Sequence, residues 1–117
     1  MISKFGECMR TFRKERDESL RTMAKKLEIS AAFLSAMEVG RKLVPVEYAK
    51  KIRDVYNLND EEYGTIYSSI METNERVEIE IAQMNEAQKE VSLVFARKIE
   101  NADPELIEKL KKALEEV

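Results

Sequence analysis

The chain has 117 residues, 44% of them hydrophobic and 37% charged, with a formal net charge of -3, no histidine and one cysteine. That length holds one ordinary domain plus an appendage and excludes a second full domain, while the missing histidine excludes Ser-His triads and histidine-based zinc sites. Three Gly, two Pro and no Trp amid abundant Leu, Ile, Glu and Lys predict an all-α fold with short connections.

The lone Cys8 cannot close an internal disulfide and is expected to be a plain buried thiol in a reduced, cytoplasmic setting. MISKFGECMR lacks a signal-peptide core, and no run approaches the roughly 20 apolar residues that cross a bilayer. No phosphate-binding Gly loop or metal-spaced cluster occurs, and carboxylate pairs such as Glu78/Glu80 and Glu115/Glu116 have no nucleophile beside them. The expectation is a soluble protein that is not an enzyme, with no cofactor, no metal and no membrane partner.

Taken in chain order, a first helix is predicted from Lys4 to Arg16, with Phe5, Cys8, Met9 and Phe12 on one face. Ser19 caps a second helix, Leu20 to Leu27, whose Leu20, Met23, Ala24 and Leu27 fall at helical spacing. Glu28-Ile29-Ser30 interrupts the pattern. Ser30 then caps a third helix, Ala31 to Val39, with Phe33, Leu34 and Met37 inward until Gly40 stops it. Pro45 suits the first turn of a fourth helix running to Tyr56, with Tyr48, Ala49, Ile52 and Val55 inward. Asn59 and Glu62 make a capping box for a fifth, Asp60 to Met71.

The stretch METNER reads as a linker or a frayed helix end. Beyond it Val77-Glu78-Ile79-Glu80-Ile81 alternates with the period of a half-buried strand, although Val77, Ile81 and Met84 also fit a helix. The strand reading leads, and a lone strand needs the same segment of a second subunit to pair with. Two more helices follow, Glu86 to Ile99 and Asp103-Pro104 to Glu116, forming a hairpin around Asn101-Ala102. Val91, Val94, Phe95 and Ile99, or Ala87, Val91 and Phe95, line the first; Leu106, Ile107, Leu110, Ala113 and Leu114 line the second. That face is too wide for two helices to hide. The surplus must meet the N-terminal domain, a second copy or another protein.

Residues 19–45, SLRTMAKKLEISAAFLSAMEVGRKLVP, resemble the Xre/Cro, lambda-repressor-like helix-turn-helix family, with Ser19, Leu20, Arg21, Met23, Ala24, Leu27, Ile29, Ser30, Leu34, Ser35, Glu38, Gly40 and Pro45 in register. The resemblance covers about the first 70 residues. It implies a five-helix DNA-binding domain over 1–71 and puts helix three in a major groove; residues 72–117, by their acidic charge, alternating stretch and wide apolar stripe, are expected to be a dimerisation or partner-binding segment. The resemblance also implies base contacts from Ala31, Ala32, Ser35 and Ala36, of which only Ser35 can hydrogen-bond; the alanines offer contact with thymine methyl groups. Helix N-termini with Ser19 and Ser30, and the cations Arg21, Arg41 and Lys42, suit phosphates. The two serines serve equally as plain caps. Arg10, Arg13 and Lys14 either flank the DNA backbone or solvate helix one. Glu38 matches an acidic family position and is expected to pair with a base such as Arg13. Glu28 stands where the family commonly has glycine, so it must take an unfavourable conformation or shift the turn.

Residues 1–58 carry 13 Lys+Arg against 8 Asp+Glu, and residues 59–117 carry 7 against 15. A basic half suits a polyanion through counterion release; the acidic half is either an assembly element kept off DNA or a well-solvated surface. The combined expectation is a sequence-specific, autoregulating repressor that binds double-stranded DNA as a homodimer through Val77, Ile79, Ile81, Phe95, Leu106, Leu110 and Leu114. The alternative is an antitoxin or adaptor whose C-terminal segment binds a toxin or other protein.

Overall fold

A computed structural model describes all residues, 1–117. It is all-α: α1 (Lys4–Glu15), α2 (Leu20–Lys26), α3 (Ala31–Glu38), α4 (Glu47–Tyr56), α5 (Asp60–Asn74), α6 (Glu86–Lys98) and α7 (Pro104–Glu115), with a 3₁₀ turn at Ile99–Asn101 between the last two. The chain divides into two compact units, Met1–Glu78 and Ile79–Val117.

In the first unit α1 packs on α3 and α5, α2 on α3, and α4 on α5. Phe5, Met9, Met23, Leu34, Met37, Ala49, Ile52 and Ile70 are completely buried between them. Side-chain caps fix where four of these five helices begin; α4 starts after Val46 without one. Ser3, Ser19, Ser30 and Asn59 each accept a hydrogen bond from an amide of the first turn, and Asn59 with Glu62 forms the expected capping box. Gly6 lets α1 lie against the end of α3, because a Cβ there would sit 2.1 Å from the Glu38 carbonyl oxygen.

Four expectations need correction. Pro45 precedes α4 rather than entering it; its carbonyl accepts from the Tyr48 amide at 3.0 Å, an i→i+3 bond that tightens the entry turn. Val55 is 40% exposed and Tyr56 packs inward instead, its ring edge-on to Phe12 at 4.7 Å. Helix α5 continues past Met71 to Asn74, because its last turn is used: Thr73 Oγ1 accepts from the Phe5 amide at 2.8 Å, and the Asn74 carboxamide pairs with Val44. Residues 77–81 form no strand. A ladder needs a second edge, and none exists within the chain; Val77 and Ile79 are exposed and Ile81 half-buried. The helical alternative fails there as well.

In the second unit, Asn85 with Gln88 forms a capping box for α6, and Asp103 caps α7 with Pro104 in its first turn. No residue of either helix is buried. The surplus of apolar surface expected from the sequence is present: Val91, Leu93, Val94, Phe95, Leu106 and Leu114 are all exposed.

Candidate nucleic-acid interface

Helix α3 is held by its inner face, on which Leu34, Met37 and Glu38 are buried. Arg13 clamps Glu38 with two hydrogen bonds, Nη1 to Oε2 at 2.6 Å and Nη2 to Oε1 at 2.9 Å, the parallel fork that guanidinium and carboxylate favour. Arg10 stands 3.9 Å from the same carboxylate. Arg13 is therefore committed to the interior and Arg10 sits over its partner, which leaves Lys14 as the one unpaired cation of that trio.

The outer face of α3 follows from this clamp. Ala32 and Ser35 are exposed, one turn apart, whereas Ala31 and Ala36 are half-buried and Ala31 packs against the core. Ser30 Oγ accepts from the Phe33 amide at 3.0 Å, so the Ala31 and Ala32 amides point out of the helix start without a partner in the chain, as first-turn amides do. They carry the positive end of the helix dipole. Ser19 is more committed, since its hydroxyl accepts from the Thr22 amide at 3.1 Å and donates to Thr22 Oγ1 at 2.9 Å.

The turn from α2 to α3 places Glu28 at φ 60, so the glutamate adopts the left-handed conformation instead of shifting the turn. After α3, Gly40 at φ 80 reverses the chain, with its amide bonded to the Met37 carbonyl and that of Arg41 to Ala36 at 2.9 Å, a glycine-centred helix stop. Arg41 and Lys42 follow, exposed and without an ion pair, as is Arg21 on α2. Sequence reasoning missed two more such cations, Lys25 and Lys50. Lys25 was findable, because it lies four residues after Arg21 and so shares its helix face.

Other cations serve the fold. Arg16 covers the Phe12 ring at 3.4 Å and stands 3.8 Å from Glu62. Lys26 binds Glu18 at 2.6 Å, and the Tyr56 hydroxyl donates to the other oxygen of Glu18. Burial works against the charge on Glu18, but the hydrogen bonds from Lys26 and Tyr56 and the nearby Lys26 and Arg16 charges prevail, holding its pKa below the ordinary value of 4.5. Burial, with the bond to Glu18, pushes the Tyr56 phenol up. Burial also raises the Cys8 thiol against a hydrogen bond with Ser69, which makes it a poor nucleophile at neutral pH.

Acid is not confined to the second unit. Residues 1–78 carry 14 Lys+Arg and 14 Asp+Glu, and residues 79–117 carry 6 and 9. The first unit is therefore neutral rather than basic: Glu7, Glu15, Glu61, Glu62 and Glu72, with Lys4 and Arg16 among them, line one groove between α1 and α5, and the unpaired Arg21, Lys25, Arg41 and Lys42 flank α3 in the chain. No cluster of His, Cys, Asp or Glu is arranged to hold a metal ion, and no helix is long and apolar enough to cross a membrane.

Two short helices joined by a tight turn, the second presenting an outer face of small residues between unpaired cations, form an arrangement suited to a groove with phosphates on either side. Residues 4–63 match the family model described as the helix-turn-helix domain. The chain belongs to the helix-turn-helix domain family. No curated protein and no solved structure matches it. A helix-turn-helix domain implies DNA binding, and domains of this kind bind rather than catalyse. The match spans α1 to the start of α5, so the last turns of α5 and the whole second unit lie outside it.

Proposed function

We propose that this helix-turn-helix protein is a transcriptional regulator of the Xre/Cro type that binds a palindromic DNA site as a homodimer and represses transcription, that of its own gene included. The observation carrying this reading is which cations are committed and which are not: Lys26, Arg13 and Arg16 are spent on Glu18, Glu38 and Glu62, and the exposed Arg21, Arg41 and Lys42, before and after α3, have no ion pair. Arg21, Arg41 and Lys42, with the amides at the helix starts beside Ser19 and Ser30, take the DNA backbone. Ala32 and Ser35 face the base edges most directly, and Ala31 and Ala36 flank them. Ser35 supplies the only side-chain hydrogen bond, so preference rests on thymine methyl contact and DNA shape.

The DNA-binding role belongs to the unit ending at Glu78, and the assembly role to Ile79–Val117 together with Val77. Ile79, Ile81, Phe95, Leu106, Leu110 and Leu114 are the residues assigned to the dimer contact. One domain of this size makes few contacts, and linking two copies on a palindrome raises affinity through effective concentration. Fluorescence anisotropy on DNA from upstream of the gene, against a scrambled duplex at about 150 mM salt, tests the reading. Preference of about a thousandfold supports it; equal, weak binding to both duplexes rejects it.

A second reading draws on the same uncovered apolar residues of α6 and α7. In it the second unit docks a partner protein, as an antitoxin docks its toxin, and DNA binding is an accompaniment. Sedimentation separates the two: a dimer at micromolar concentration favours the regulator, and a monomer favours the partner-binding module.

A further inference from the structure

The loop after α3 is tied at both ends. At its start the Gly40 turn is closed by hydrogen bonds to Met37 and Ala36, and the Glu38 carbonyl just before it accepts from the Ser3 amide at 2.9 Å and the Ser3 hydroxyl at 2.8 Å. At its end Val44 is buried, and the carboxamide of Asn74, thirty residues on, pairs with both of its backbone groups. Val44 N–H donates to Asn74 Oδ1 at 2.9 Å, and Asn74 Nδ2 donates to the Val44 carbonyl at 2.8 Å. Between these ties stand only Arg41, Lys42 and Leu43, all exposed, with Leu43 60% so. Arg41 and Lys42 have no carboxylate to hold them, so the loop's order comes from its backbone ties.

We infer that Asn74 is a positioning residue for DNA binding: by standing in for a neighbouring strand against Val44, it presents the Arg41-Lys42-Leu43 tip in one conformation to the phosphates flanking α3. The inference rests on the reading that Arg41 and Lys42 contact DNA. A two-point carboxamide bond fixes both the height and the rotation of the peptide it holds, which a single bond does not. Ordering the loop residues before binding removes an entropy cost that association with DNA would otherwise bear. Asn74 lies outside the matched helix-turn-helix region, at the C-terminal end of α5, where the chain leaves the helix through Glu75 at φ 53.

The test is a cycle of full-length variants, Asn74→Ala, Arg41→Ala/Lys42→Ala, and all three together, measured for DNA affinity by anisotropy. Asn74→Ala is expected to weaken binding by about tenfold on its own, and by less than about twofold once the two loop cations are gone, because there is nothing left to position. Native-state hydrogen exchange should show the Val44 amide losing protection in Asn74→Ala while the α3 amides keep theirs. Asn74→Gln, which keeps both donor and acceptor on a longer stem without adding charge, should fall between the parent and Asn74→Ala and guards against a poorly folding alanine variant. An equal loss in both backgrounds means that Asn74 acts on the whole fold, and overturns the inference. Unchanged affinity in Asn74→Ala, with Arg41→Ala/Lys42→Ala weakened, also overturns it while leaving the DNA-contact reading standing. Unchanged affinity in the Arg41/Lys42 variant removes that reading and the inference together.

Discussion

Glu38 is a carboxylate with 2% of its surface exposed, and such a group survives in an interior only when its charge is matched. Arg13 supplies the match through its fork, so Arg13→Ala is expected to cost about 3 kcal/mol or more in urea unfolding. Arg10→Ala, which removes a mostly exposed guanidinium 3.9 Å away, should cost well under about 1 kcal/mol. Equal losses would mean that the buried pair does not anchor α3. Glu18 makes a pH prediction. Its folded pKa is depressed, so the stability it supplies is complete at neutral pH and is lost as pH falls below its ordinary value of 4.5 and through the folded one. Stability measured against pH should therefore drop less steeply in that acidic window for Glu18→Gln than for the parent. The Arg13–Glu38 partnership was legible only through the family resemblance, which has an acidic position where Glu38 stands. The Glu18–Tyr56 bond was not, since nothing in the chain marks two residues 38 apart as neighbours.

Helices α2 and α3 begin and end close to where caps and periodicity place them, because a helix start is a local matter of one side chain meeting one amide. Helix α5 shows the limit of that logic. Met71-Glu72-Thr73-Asn74 is polar and reads as the end of an element, yet Thr73 and Asn74 are the side chains that tie α5 to the start of α1 and to Val44. Truncation separates the two views: a chain cut after Met71 should melt well below one cut after Glu78, by circular dichroism, since only the shorter one loses those bonds. Identical melting would make the last turn of α5 dispensable. The alternating stretch 77–81 taught the opposite lesson, for a two-residue period describes a strand only when a second edge is present to receive it.

On the scale of the molecule, the second unit exposes Val91, Leu93, Val94, Phe95, Leu106 and Leu114, and apolar surface of that kind suits an interaction site. Charge placed on that surface opposes assembly without touching the first unit's core. On the proposed homodimer reading, Leu106→Glu with Leu114→Glu is expected to shift sedimentation from dimer to monomer and to lower affinity for a palindromic duplex by about a hundredfold, leaving a half-site duplex unaffected. An unchanged dimer would move the assembly contact elsewhere.

The amino-acid order by itself determined the all-α class, the capped starts of α2, α3 and α5, the helix-turn-helix signature and most of the inward stripes of the N-terminal helices, because these depend on residues within a turn or two of one another. Tertiary structure alone decided which cations are free and which are committed, that acid lines a groove within the DNA-binding unit, and that Asn74 closes the loop after α3. Those facts depend on which distant segments meet, and a hydrogen bond across thirty residues has no periodicity to read.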